Sequence, residues 1–178
     1  KFKQSKKIRG LWHIENLCIT DLRGSLVKVY DEKLFYKLKK KFNFEWKQVL
    51  ISYSKKANTQ RGLFYQSHIL PEGKLVYCLK GSVFWVAVDL RKKSKTFGKW
   101  EAAKLNENDK KAFLISPGFA NGCLTLKNNT EILLLGNNNH LHKGGFNIDC
   151  NDKDLNIKWP IKKNIIQLNK TISFKETK

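Results

Sequence analysis

The chain is short of carboxylates, of closely spaced cysteines and of long apolar runs, and each shortage narrows the class of protein it can be. Fifteen Asp and Glu stand against 35 Lys and Arg, a formal net charge of +20 at neutral pH. That excess implies attraction to anions: nucleic acid, an anionic membrane surface or a phosphorylated ligand. It does not choose among them. No basic stripe is interleaved with aromatics in a nucleic-acid reader motif, so a solvated lysine-rich surface is the plainer reading and a nucleic-acid partner is not expected. No apolar run approaches the roughly 20 residues that a membrane-spanning helix needs, so no membrane partner is expected. The basic opening, Lys1-Phe2-Lys3-Gln4-Ser5-Lys6-Lys7, is not followed by the apolar stretch and small-residue cleavage site of a secretory signal. Cys18, Cys78, Cys123 and Cys150 are scattered, with no C-x-x-C pair. Scattered thiols fit a reducing compartment, and a cytoplasmic location is expected.

What is present is a hydrophobic fraction of 41% with 12% aromatics, enough to build a core in 178 residues. One domain is expected over 1–178, with a basic N-terminal arm over 1–10 and a docking segment over 154–178. From Lys74 onward, short strand-like stretches alternate with glycine, proline and asparagine. Leu75–Leu79 and Ser82–Leu90 read as two strands joined by a tight turn at Lys80-Gly81. Ala112–Ile115, Gly122–Leu126 and Glu131–Leu135 continue the pattern, with Ser116-Pro117-Gly118 as a turn and Lys127-Asn128-Asn129 as a hairpin connection. Many short strands at such intervals mean a sandwich or barrel, and a jelly roll is one way to limit exposed edges. One or two short helices are expected beside it. Asp31–Leu38 has carboxylates in its first turn and lysines in its last, which suits a short helix. Asp89 reads as a structural partner of Arg91, and Trp85 and Trp100 as core or interface aromatics.

Several motifs in fixed order carry a resemblance. Arg61-Gly62-Leu63-Phe64-Tyr65-Gln66, Gly73–Val76, Val86-Ala87-Val88-Asp89-Leu90-Arg91, Ser94-x-Thr96-Phe97-Gly98-x-Trp100 and Pro117-Gly118-Phe119-Ala120-Asn121-Gly122 together resemble the dTDP-4-dehydrorhamnose 3,5-epimerase family of cupin-like jelly rolls. Asp21-Leu22-Arg23-Gly24 upstream and Asp154–Pro160 downstream extend it over nearly the whole chain. The resemblance implies a mainly β, cupin-like jelly-roll barrel, no cofactor or metal, and a homodimer that exchanges N-terminal strands. It also implies a nucleotide-diphosphate sugar as partner, in the rhamnose pathway.

The family's reaction, as the resemblance implies, uses a histidine to remove a proton beside the sugar ketone, a carboxylate to orient it and a tyrosine as general acid. Each role needs a titratable group within hydrogen-bond reach, with a cation near the developing enolate. In this chain the histidine position is Phe64, the tyrosine position falls at Leu134 and the carboxylate position at Lys170. Phe and Leu carry no proton. The substrate-binding positions are filled by Arg23, Arg61, Gln66 and Lys74, with Asn121 where a second histidine often stands.

The expected function is therefore that of an epimerase-like nucleotide-sugar protein whose activity is altered or lost. A non-catalytic sugar-nucleotide binder or scaffold is the alternative, and a 3,4-ketoisomerase of the related cupin type a further one, opposed by the missing histidine pair after Arg61-Gly62. Lys74 and His68 remain as candidates for proton transfer, since His68 would share a strand face with Gln66. His140-Leu141-His142 has the spacing of a metal pair but lacks the downstream carboxylate, so no metal is expected.

Overall fold

A computed structural model describes residues 1–33, 35–36, 45–66, 70–139, 145–161, 165–167 and 170–177. In chain order the strands are β1 (Phe2–Gln4), β2 (Leu11–Glu15), β3 (Leu17–Asp21), β4 (Gly24–Lys28), β5 (Gln48–Ser54), β6 (Gln60–Gln66), β7 (Lys74–Lys80), β8 (Ser82–Asp89), β9 (Trp100–Asn106), β10 (Lys111–Ile115), β11 (Phe119–Thr125), β12 (Thr130–Gly136) and β13 (Gly145–Asn147). One sheet runs β1-β2-β10-β7-β12-β5, the other β13-β6-β11-β8-β9, and among the described residues β3 pairs only with β4. The ladders are antiparallel throughout. This is the mainly β, cupin-like sandwich that the strand pattern and the resemblance imply.

Alternation along the strands fills three layers. Between the sheets lie Leu11, Val76, Cys78, Trp85, Phe113, Ile115, Phe119 and Ile132. Outside the five-stranded sheet, Val86, Val88, Ala120 and Leu124 are covered by Leu155, Ile157, Trp159 and Phe174. The stretch expected to dock does so through alternate residues. Outside the six-stranded sheet, Trp12, Leu75, Tyr77 and Leu114 pack against Phe35.

One local reading changes. The connection at Lys127-Asn128-Asn129 is no hairpin, because β11 and β12 lie in opposite sheets. Both strands bury residues on both faces, so their sequence pattern does not say which sheet each joins. The turn at Gly81 likewise carries the chain between sheets, with φ of +80° and its Cα facing Thr130 so closely that an added Cβ would lie 2.5 Å from the Thr130 hydroxyl. Only glycine tolerates that position. In the expected helix, Glu32, Lys33, Phe35 and Tyr36 are helical and the amide of Phe35 donates to the Asp31 carbonyl at 3.0 Å. Leu34, Lys37 and Leu38 lie outside the described residues.

Asp89 is fully buried at the end of β8 and organises the loop that follows. It accepts from Arg91 Nε and Nη2 at 2.8 and 2.7 Å, from Ser94 Oγ and Thr96 Oγ1 at 2.6 Å each, and from the Arg91 amide at 3.0 Å. Burial pushes its carboxyl up, but these donors outweigh burial and hold it below the ordinary value. A depressed folded pKa gives stability that is full above the ordinary carboxylate pKa of about 3.9 and is lost as the pH falls through the folded value. Asp89→Asn is thus expected to be less stable than wild type at neutral pH and to lose less on acidification, as read by urea midpoints across the acid range. Parallel pH profiles would refute this role.

Candidate active site

The polar end of the inter-sheet space is built by β6, β7, β11 and β12. In antiparallel ladders, residues directly opposite share a face. Asn121 pairs with Phe64 and Cys123 with Arg61, so two steps along β11 match three along β6. This bulge turns Arg61 and Phe64 to the same inner face, which a regular strand forbids for residues three apart. The glycine between them, Gly62, has φ of +89°, and a Cβ there would lie 2.6 Å from the Asn121 carbonyl oxygen.

Lys74 enters from the start of β7, its Nζ 5.5 Å from the centre of the Phe64 ring. Its side chain is 11% exposed and pairs at 3.0 Å with Glu72, which is 3% exposed. Gln48 Nε2, on β5, donates to Glu72 Oε1 at 2.9 Å and to the Asn138 carbonyl at 2.6 Å. Asn137 Oδ1 accepts from the Gly73 amide at 2.7 Å, and Asn138 Nδ2 donates to the Pro71 carbonyl at 2.8 Å. Leu134 is the next inward residue of β12 beside Gly136, which pairs with Lys74, and it packs on the inter-sheet core.

The binding residues expected from sequence divide. Arg61, Gln66, Lys74 and Asn121 converge on the inner faces. Arg61 donates from Nε to Ser54 Oγ at 3.2 Å and from Nη2 to the Tyr53 carbonyl at 2.9 Å, which ties β6 to β5. Gln66 Nε2 donates to the Leu70 and Asn139 carbonyls at 2.8 and 3.0 Å, joining two loops at the rim. Arg23 is elsewhere, at the tip of the β3–β4 hairpin, 89% exposed and paired with Asp21 at 2.6 Å. Lys170 is exposed in the C-terminal segment outside any strand. His68, His140 and His142 lie outside the described residues.

Sequence reasoning missed Glu72 and Gln48. The signal for the first was available: Glu72-Gly73-Lys74 puts two opposite charges on one face of an extended chain. Cys123, on the inner face opposite Arg61, is a further inward group. Burial pushes its thiol up to about 12 against the opposing pull of Arg61 and Lys74, so it is a neutral thiol at physiological pH. The described residues hold no group of three or more His, Cys, Asp or Glu able to bind a metal, and no helix long and apolar enough to cross a membrane.

A family profile described as dTDP-4-dehydrorhamnose 3,5-epimerase matches residues 5–178. The chain belongs to that family. The enzyme of this name from Shigella flexneri is 37% identical over 143 residues, which cover 79% of this chain and 77% of that protein. The crystal structure of the enzyme from Elizabethkingia anophelis superposes with a TM-score of 0.89 at 30% identity, covering 99% of this chain and 97% of that one. That of the dTDP-6-deoxy-D-glucose-3,5-epimerase from Legionella pneumophila, in complex with dTDP-4-keto-L-rhamnose, gives 0.87 at 31% identity, covering 93% and 86%. Membership places the chain among the dTDP-sugar epimerases of deoxysugar biosynthesis.

Proposed function

We propose that the polar end of the barrel binds a dTDP-linked keto sugar and that the family's proton transfer is altered or lost in this chain. The observation that carries this reading is Phe64, which faces inward opposite Asn121 and beside Lys74. Removing a hydrogen next to a ketone requires a base within hydrogen-bond reach. Phe64 and Leu134 cannot exchange a proton, the Cys123 thiol is neutral, and Lys74 is engaged by Glu72 at 3.0 Å. Arg61 and Lys74 retain what an anionic diphosphate needs, a planar donor fork and a point charge. The dTDP-sugar seen on the Legionella pneumophila relative supports the same ligand class here.

The reading extends to a cytoplasmic homodimer, favoured by the four unpaired thiols and by apolar side chains on two outer faces. Leu17, Ile19 and Leu26 share the exposed face of the β3–β4 hairpin, and Val49, Ile51 and Tyr53 share that of the edge strand β5. An open apolar edge gains from pairing with a second copy. We assign Arg23 to the site of that second copy, which accounts for its isolation in a single chain.

Calorimetry with dTDP and dTDP-rhamnose tests the reading. Wild type is expected to bind both, Arg23→Ala more weakly, and sedimentation to give a dimer. Absence of binding by either nucleotide would sink the binding assignment. Rapid incorporation of solvent deuterium at C3 and C5 of dTDP-4-keto-6-deoxyglucose would sink the loss of chemistry.

A further inference from the structure

The charge of +20 is not used up by Arg61 and Lys74, and it is not evenly spread. A cavity of about 690 Å³ lies between the Ser5–Arg9 segment and the loop that follows β8. Six cations line it, Lys6, Lys7, Arg9, Arg91, Lys93 and Lys95, and no carboxylate is among the described lining residues. It shares no residue with the inner-face set of Arg61, Phe64, Gln66, Lys74 and Asn121.

Both walls are fixed from beneath. The loop is pinned by the buried Asp89, which takes up Arg91, Ser94 and Thr96 and leaves Lys93 and Lys95 outside that network. The arm is pinned by Ser5, whose hydroxyl bonds to Glu101 and accepts from the amides of Lys7 and Ile8 at 3.0 Å each. Arg91 Nη2 joins the two walls by donating to the Arg9 carbonyl at 2.7 Å. Asp89 is matched by Arg91 at 2.7 Å, and Glu101 bonds His13 and lies in the field of Lys7, so among the described residues no ion pair neutralises Lys6, Arg9, Lys93 or Lys95. Like charges held on two fixed walls repel, and the repulsion is relieved by an anion seated between them.

We infer that this cavity is a second anion site, separate from the barrel interior, that takes a small ligand bearing several phosphate groups. The volume is that of a small-molecule site, and an array of lysines and arginines on two facing walls suits clustered phosphoryl oxygens rather than a single carboxylate. Lys93, which in the sequence is one member of a lysine pair, here belongs to a built surface.

The test is calorimetric titration of the full chain with inorganic tripolyphosphate, and in parallel with a short single-stranded DNA. Lys93→Glu/Lys95→Glu is compared with Lys153→Glu/Lys158→Glu, a reversal of equal size on the C-terminal segment; all four lysines are exposed, and thermal melts confirm the fold of both variants. Wild type is expected to bind tripolyphosphate with an affinity that weakens as salt rises. The cavity variant should lose roughly tenfold or more, the loss expected for charge-assisted contacts, and the reference variant much less. Saturating dTDP should leave the tripolyphosphate affinity unchanged. Equal losses in the two variants would reduce the effect to overall charge and overturn the site. Competition by dTDP would place the phosphates in the barrel instead, and binding of DNA without tripolyphosphate would exclude a small ligand. Because the dTDP titration is scored separately, failure of the barrel assignment and failure of this one are distinguishable.

Discussion

Glu72→Ala is expected to destabilise the folded chain by about 3–5 kcal/mol at neutral pH, the cost of stranding a buried charge when its partner is truncated. Both members of the Glu72–Lys74 pair are nearly out of water, at 3% and 11% exposure. The truncation also removes one of the two acceptors of Gln48 Nε2 and so loosens the tie between β5 and the loop before β7. A fall in urea midpoint at unchanged slope is the readout. The companion variant Glu72→Leu/Lys74→Met separates cause from effect. It removes both charges, and a buried ion pair replaced by apolar side chains of similar volume commonly restores stability. The double variant should therefore be more stable than Glu72→Ala. If Glu72→Ala is instead nearly neutral, the pair is solvated and the account of Lys74 as a fixed cation fails. By contrast the exposed Arg23–Asp21 pair is expected to matter little to stability, since screening by water leaves such pairs weak.

Phe64→His/Leu134→Tyr is expected to raise solvent deuterium incorporation into dTDP-4-keto-6-deoxyglucose by roughly a hundred- to ten-thousand-fold over wild type, the range that positioned general acid–base groups contribute. An imidazole at position 64 would project from the inner face toward the space beside Lys74, and a phenol at 134 would project toward it from the facing sheet, on the strand next to that of Lys74. The ammonium of Lys74 disfavours a second positive charge nearby, so the new imidazole would be held neutral and able to accept a proton. Leu134→Tyr alone should stay at the wild-type rate, because the base is still missing. A double variant that binds dTDP yet exchanges no faster than wild type would mean that position 64 is not where the hydrogen is removed.

The strands were legible where short apolar stretches are bounded by glycine, proline and asparagine, as at Lys74–Asp89 and Lys111–Gly136. Which sheet each strand joins was not. β11 and β12 are buried on both faces, so nothing in their pattern separates a hairpin from a crossing. The inward placement of Phe64, Lys74 and Asn121 followed from motif order, but the shared face of Arg61 and Phe64 depends on a bulge that strict alternation does not encode. Glu72 and Gln48 were invisible for a different reason. They meet Lys74 through tertiary contacts spanning β5 and the loop before β7, and only the spacing of Glu72 to Lys74 hinted at half of that network. Arg23 was read from motif order as a substrate-binding cation, and its place at the tip of a hairpin, apart from the other cations, became evident only from the pairing of β3 with β4.

The crossings between sheets bear on how the chain finds its structure. Among the described strands, only β1–β2, β3–β4 and β8–β9 are ladders between neighbours along the chain. The others, such as β10 with β2, β12 with β5 and β11 with β6, join segments separated by several intervening strands. Each requires closing a long loop before any pairing rewards it, and that entropic delay slows folding. Until β12 arrives, β5 has neither of its edges covered, and Val49, Ile51 and Tyr53 wait beside an unsatisfied backbone. The segment that completes the wall of the barrel is therefore also the segment through which a half-folded chain would most readily associate with another.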